Sequence, residues 1–268
     1  MVELLSEEEL RHQTRGRFPT HFQHAYRLYD LAHGALNGFN REVETAYERA
    51  TLLICGKAFK SYYAILYLCE VAHTEDAGVI LRSLFNLLVI QRWLRIDDSE
   101  AKSKKYLGWF WVVMYESIEH DRAIVSPDLA AMVKEQYNNH KALFEFQERG
   151  QAGMSKKWYQ PEVNTIEQMA EQVGLKDHYE GIYRPLSSLE HSDALGYFSI
   201  VAQAQPKVDG SKLALFSDQF VPTYIRNAFM YFMDTLRTWN KVHAAFEEAK
   251  LDEIIEPAFG FFNSETGQ

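Results

Sequence analysis

The chain has 268 residues, 47% hydrophobic and 24% charged, so it folds as one large globular domain or two small ones rather than as a disordered or collagen-like chain. Only 7 prolines and 14 glycines punctuate it, too few for a sandwich of many short strands. A net charge of −9 excludes broad non-specific binding to duplex nucleic acid, and duplex DNA is not an expected partner, but a local basic site stays open.

In chain order, Ser6 with Glu9 forms a capping box that opens a short N-terminal helix. Pro19 starts a second helix reaching about Ala35, ended by Gly34, Gly38 and Asn40. From Arg41 to His73 the apolar positions Val43, Tyr47, Ala50, Ile54, Ala58, Tyr62, Ile65 and Leu66 recur at helical spacing. Thr74-Glu75-Asp76 breaks that helix, and Ala77–Arg95 follows with apolar residues all round its axis, which places it at the centre of a bundle. Ser99 with Glu100 begins a helix to about Arg122, and Pro127 opens another to about Arg149. Gly150–Ser155 reads as a linker. Asn164 with Glu167 reads as a capping box on a helix ending near Gly174, and a further helix from about Tyr179 holds Tyr183–His191. Helical periodicity fails between Ala202 and Val221, where Asp209-Gly210 suits either an irregular connection or a small hairpin near 206–217. A long helix runs from about Pro222 to Lys250, followed by a tail.

The expectation is an all-α chain, a single multi-helix bundle taken as one domain. Residues 1–38 form an N-terminal helical extension, 39–200 a helical core, and 201–268 an irregular connection, a long C-terminal helix and a tail. Cys55 and Cys69 sit in apolar helical runs without metal-ligand spacing and read as buried reduced thiols. The N-terminus lacks the basic start and apolar run of a secretion signal, and no run of about 18 uncharged apolar residues occurs. The expected location is the cytoplasm, with no membrane partner.

The stretch Tyr183-Arg184-Pro185-Leu186-Ser187-Ser188-Leu189-Glu190-His191 carries the most chemical information. On a helix Arg184 and His191 fall about 20° apart, with Ser187 and Ser188 within about 60° of that line and Leu186 and Leu189 opposite. Pro185 fits only in a first turn, which sets Arg184 at the helix entrance. An arginine can hold phosphate by a forked pair of hydrogen bonds, and a neutral imidazole can take a proton from a hydroxyl near neutral pH. Metal-free RNA cleavage needs those two capacities. The same stripe also suits an ordinary polar helix face with His191 bonded to a neighbouring carbonyl.

Arg82 interrupts an apolar helix, with Asn86 one turn later, and a guanidinium there must find a carboxylate, a phosphate or several carbonyls. Glu116, Glu119 and Asp193 are candidate partners, and a cleft joining Arg82, Asn86, Arg184 and His191 would make it a ligand-binding arginine instead. Glu70-Val71-Ala72-His73 is one ExxH of the kind di-iron bundles use twice, and Glu116, Glu119 and His120 have compatible spacing, but a second ExxH is absent. His21 and His24 form a pair with no evident third ligand. Phosphate-binding, dinucleotide, serine-hydrolase and zincin signatures are missing, and no cofactor is expected. Tyr106, Trp109, Phe110, Trp111 and Tyr115 beside Lys102, Lys104 and Lys105 suit either base stacking or a packed core with a solvated turn.

Three pieces in order, Arg82-Ser83-Leu84-Phe85-Asn86, then Lys157-Trp158 before Thr165-Ile166-Glu167-Gln168-Met169-Ala170, then Tyr183-Arg184-x-Leu186-Ser187-Ser188-x-x-His191, resemble a bacterial family of unknown function. Its members carry an RSLFE-type helix, a tryptophan before an "IxEMA" helix and a "YRxLSSxxH" helix. The likeness covers roughly 40 to 200 and departs at Asn86, where the pattern has Glu. The Arg184–His191 element also resembles the Arg-x4–6-His motif of HEPN domains, all-α ribonucleases and RNA- or nucleotide-binding modules of stress and phage-defence systems. The departure there is Pro185, where that pattern has Asn, Asp or His. This second resemblance implies His191 and Arg184 as catalytic residues, RNA or a nucleotide as ligand, and a homodimer; Ser187 and Ser188 of the polar stripe, and Arg82 and Asn86 if one cleft joins them to it, are the expected substrate contacts. Two other readings stand beside it: a non-enzymatic module acting through protein partners or self-association, and a metal-binding helical bundle.

Overall fold

A computed structural model describes residues 5–121, 125–148, 151–190 and 218–266. The elements are α1 (Glu7–Arg17), α2 (Pro19–Asn37), α3 (Ala46–Glu70), α4 (Thr74–Leu94), α5 (Ser99–His120), α6 (Pro127–His140), β1 (Glu145–Glu148), β2 (Gln151–Met154), α7 (Ile166–Gln172), α8 (Lys176–His178), a π-helical turn (Tyr179–Tyr183), α9 (Arg184–Glu190), α10 (Val221–His243) and α11 (Glu248–Thr266). The chain is all-α, with one small hairpin among the described residues. Its contacts form two compact units, Met1–Glu42 with Thr51–Gln91 and Gly174–Gln268, and Val43–Ala50 with Arg92–Val173.

In the first unit α2, α3, α4, α10 and α11 enclose a core that contains Leu28, Ile54, Ile65, Phe85, Phe229, Trp239 and Phe262. Tyr62 is fully buried, stacks on Phe232 at 4.7 Å and donates its hydroxyl to the Ala25 carbonyl at 2.9 Å, so even the core phenol is satisfied. By length and mean hydropathy α3 and α4 are each apolar enough to cross a membrane, and in this unit both turn apolar side chains into the core. Cys55 and Cys69 are buried free thiols on α3. Fourteen residues along one helix separate them by about 21 Å, beyond disulfide reach, and burial raises both thiol pKa values.

The capping box of α1 forms as read: the Glu9 amide donates to Ser6 Oγ at 3.3 Å and the Ser6 amide to Glu9 Oε2 at 2.7 Å. The α3–α4 break falls at Val71-Ala72-His73, where Ala72 takes φ 59°, and Thr74 already begins α4. The last turn of α3 buries a carboxylate. Glu70 lies 3.2 Å from Arg11 Nε and 3.1 Å from Arg15 Nε, and accepts the Tyr26 hydroxyl at 2.7 Å. Three elements are thereby tied together by one charge.

Four sequence expectations are corrected. The helix from Pro127 stops at His140 rather than near Arg149, and the segment read as a linker is instead part of an antiparallel hairpin in which Glu145 pairs with Met154 and Phe146 with Gly153. Phe144 is buried at its base, and the Ser155 amide donates to the Phe144 carbonyl at 2.8 Å, closing the pair. The cap of α7 sits one residue later than Asn164: Thr165 Oγ1 accepts from the Gln168 amide at 3.2 Å, because Gln168 rather than Glu167 reaches back, to the Asn164 amide at 2.7 Å. The long C-terminal helix is two helices. Ala244 takes the left-handed conformation after His243, and Asn240 bridges the corner by accepting from the Phe246 amide at 2.9 Å and donating to Glu248 at 3.1 Å. The expected tail is α11, which tolerates the internal Pro257 because Leu251, Ile255, Ala258 and Phe262 are buried on one face. The alternative hairpin near 206–217 lies outside the described residues.

In the second unit α5 crosses α6 at Gly108, where an added Cβ would stand 2.9 Å from the His140 ring. The carboxylate of Glu100 accepts the Ala46 and Tyr47 amides at 3.2 and 3.1 Å, capping the first turn of α3.

These contacts set three measurable outcomes. Glu70→Gln leaves two arginines without their carboxylate and lowers unfolding free energy by about 1–3 kcal/mol in urea titrations, the partial exposure of both arginines keeping the loss below that of a fully buried pair. Gly108→Ala lowers the melting temperature, and His140→Ala in the same chain restores most of the loss, since the clash needs both side chains. The third concerns His21 and His24 on α2, buried against Phe261 and Phe262 of α11. His21 Nε2 stands 2.7 Å from Glu265, and His24 Nδ1 has no hydrogen-bond partner among the described residues. Burial, opposed at His21 by Glu265, holds both pKa values below the ordinary 6.5. The unfolded chain therefore binds protons first as pH falls, so this stability is complete above about 6.5 and is lost below it. The urea midpoint falls from about pH 7.5 to about pH 5.5, and falls less in His24→Leu.

Candidate functional site

Arg82 lies on the third turn of α4, between the buried side chains Leu81 and Leu84-Phe85. Opposite stands the segment Lys176–Glu190, three helical pieces in series: one α-turn, five residues of π-helix, then α9. Pro185 is the second residue of α9. It has no amide hydrogen for the carbonyl of Gly181, four residues back, and its ring would press on that carbonyl in an unbroken α-helix. The π turn immediately before it is where the helical ladder absorbs that misfit. The widened turn and the leucine anchor, Leu186 being buried, place Tyr183 and Ser187 facing Arg82.

The resulting cluster is tight. Arg82 Nε donates to Ser187 Oγ at 2.9 Å and one terminal nitrogen donates to the Tyr183 hydroxyl, also at 2.9 Å. The guanidinium carbon lies 4.5 Å from the centre of the Tyr183 ring. That ring is itself held by Phe85 at 5.6 Å and stacked on Tyr179 at 4.7 Å. Hydroxyl oxygens that accept its N–H groups, and a π face, orient the guanidinium. Asn86, one turn further along α4, has a buried side-chain oxygen that meets no hydrogen-bond donor among the described residues.

The six sequence-predicted residues divide as follows. Arg82 and Ser187 are brought into direct contact, and Asn86 sits one helical turn from Arg82. Arg184 points elsewhere: it is exposed, 3.0 Å from Glu180, with its guanidinium 5.8 Å from the Tyr179 ring. Ser188 continues α9 in backbone, and His191 lies outside the described residues, as does Asp193, one of the partners expected for Arg82. Tyr183 is the site residue that motif reasoning did not single out. Its signal was available in the helical spacing, since Tyr183 and Ser187 are four apart and share a face.

The other candidate constellations resolve into ordinary contacts. Glu70 belongs to Arg11, Arg15 and Tyr26, and His73 lies 3.6 Å from Asp76. Among the described residues, no group of three or more His, Cys, Asp or Glu side chains is placed to hold a metal ion. The lysines beside the aromatic run on α5 are engaged. Lys102 sits 4.0 Å over the Trp93 ring, Lys104 is 3.4 Å from Glu100, and Lys105 binds Glu162 at 2.9 Å. Trp109 packs on Phe144 and Tyr106 on Trp158.

No curated protein and no solved structure matches the chain. A family model does match, over residues 48–204, which is more than half of the chain and includes Arg82, Tyr183 and Ser187. On that match the chain belongs to the family of unknown function DUF5677.

Proposed function

We propose that this chain is a HEPN-like RNA-binding domain that cleaves RNA without a metal ion, with the Arg82 cluster orienting a phosphate and His191 moving the proton. One observation carries the reading. Arg82 and Ser187, 105 positions apart in sequence, meet at 2.9 Å, so the α4 motif and the α9 motif form one cluster. A guanidinium pinned by Ser187 and Tyr183 is oriented before a ligand arrives, which is what makes a phosphate contact selective. The buried Asn86 oxygen offers an acceptor to a ribose hydroxyl or a base amino group. Arg184 adds a second positive charge at the exposed entrance of α9.

In the reaction, His191 takes the proton of a ribose 2′-hydroxyl, and that oxygen attacks the adjacent phosphorus. The 5′-oxygen leaves and is protonated, giving a 2′,3′-cyclic phosphate and a 5′-hydroxyl end. The ribose supplies the nucleophile, so the protein needs only to position phosphate and transfer protons. A homodimer in the cytoplasm is the form in which we expect it to act.

A non-enzymatic reading, a helical module that works through a protein partner or a second copy, is favoured by a different observation. Phe110 and Val113 on α5, and Leu129 and Met132 on α6, are exposed.

Incubation with single-stranded RNA in EDTA decides between them. The wild type cleaves, His191→Ala loses at least about 100-fold in rate, and Arg82→Ala loses about 10- to 100-fold, both at unchanged melting temperature for His191→Ala. Equal cleavage by wild type and His191→Ala removes the histidine from the mechanism. Absence of cleavage by the wild type, together with a concentration-dependent change in size-exclusion volume, selects the non-enzymatic module.

A further inference from the structure

Away from that cluster, the outward face of α3 has an unusual composition for an acidic protein. Between Arg49 and Cys69 the helix contains Lys57 and Lys60 and no aspartate or glutamate, although the whole chain carries a net charge of −9. Leu53, Lys57, Lys60 and Tyr63 are all exposed, and their spacings of three and four residues place them on one stripe. Leu53 and Tyr63 are 56% and 44% accessible, large apolar surfaces to leave in water. Neither Lys57 nor Lys60 has a hydrogen bond or ion pair among the described residues, and the same holds for Arg27 on the neighbouring α2.

Beside this stripe stands a ladder of rings. Tyr29 lies 5.0 Å from Phe59 and 5.7 Å from His33, nearly parallel to both at 17° and 11°, and 5.1 Å from Tyr63. Phe59 is anchored from below by the core ring of Phe232, so the ladder is fixed to the bundle. His33 and Tyr63 present its outer members to solvent, with His33 held by Asn37 at 2.9 Å. At the far end α1 closes the stripe: the Tyr67 hydroxyl donates to Glu7 and Arg11 lies over the Tyr67 ring. The open part therefore runs from Leu53 to Tyr63.

We infer that this α2–α3 face is a contact surface for single-stranded RNA, on which unpaired bases stack against Tyr63 and His33 while Lys57 and Lys60 meet the phosphates. The inference rests on the reading above for the class of ligand and uses none of that site's residues. Stacking on an aromatic ring requires a base free of its complement, and cations interleaved with rings at helical spacing match the alternation of base and phosphate along a single strand. A duplex hides its base faces and would meet the acidic remainder of the chain. Asp30 on α2 flanks the face and limits its length.

The test is fluorescence anisotropy with a labelled oligouridine of about 12 nucleotides, in the His191→Ala background so that cleavage does not intervene. We expect Tyr63→Leu to raise Kd about 10-fold. The pair Lys57→Gln and Lys60→Gln together lower the slope of log Kd against log salt by about 1.4, near 0.7 for each phosphate contact on a single strand. These positions are exposed, so melting temperatures stay at the parent value. Binding that is tight and indifferent to all three substitutions overturns the inference while leaving the cleavage reading intact. Absence of RNA binding overturns it as well, and cleavage by the wild type then judges the catalytic reading separately. Loss of binding to phosphatidylserine vesicles in the same variants, with no RNA binding by the parent, assigns the face to an anionic membrane surface instead.

Discussion

A carboxylate at the end of a long apolar helix has to be met by positive charge or protonated, and Glu70 is met by Arg11, Arg15 and the Tyr26 hydroxyl. The consequence reaches beyond one ion pair. α1 is short and buries little of its own surface, so the two arginines that reach Glu70, together with the hydrogen bond from Tyr67 to Glu7, attach it to α3. Tyr26 brings α2 to the same oxygen atoms, and the hydrogen bond to Glu70 adds to burial in raising the phenol's pKa. With α1, α2 and the end of α3 mutually fixed, the sharp corner at Ala72 starts α4 in a defined direction, and Arg82 arrives two turns later.

The Arg82 cluster obeys the same constraint by different means. A half-buried guanidinium in an apolar helix is met by two hydroxyl oxygens and a ring face. The π turn before Pro185 is the local distortion that makes this meeting possible, because it sets the register in which Tyr183 and Ser187 share one face. On the other side of the molecule's chemistry, the α3 face shows a local excess of positive charge that the net charge of the chain conceals.

Periodicity carried most of the fold. The capping box at Ser6, the long α3 and the all-round apolar α4 follow from spacing and cap chemistry alone, because those signals are local. The failures came where a local signal was outweighed. Pro257 reads as a helix breaker, yet α11 forms because its apolar face is buried against α2 and α10. The split at Ala244 was invisible because alanine is a good helix former, and the corner there depends on Asn240 bonding to Phe246 and Glu248. The hairpin at Glu145–Met154 is four residues a strand, too short for alternation to distinguish it from a linker.

For the site, the sequence by itself determined which residue types were available: an arginine stranded among leucines, and a polar stripe opposed by leucines on a later helix. Both are statements about one helix at a time, where geometry is set by 3.6 residues per turn. Only the tertiary structure decided that Arg82 meets Ser187 and Tyr183, that Arg184 pairs with Glu180, and that Glu70 meets two arginines. Those pairings join positions far apart in sequence, and they depend on how buried faces pack, which no single helix encodes.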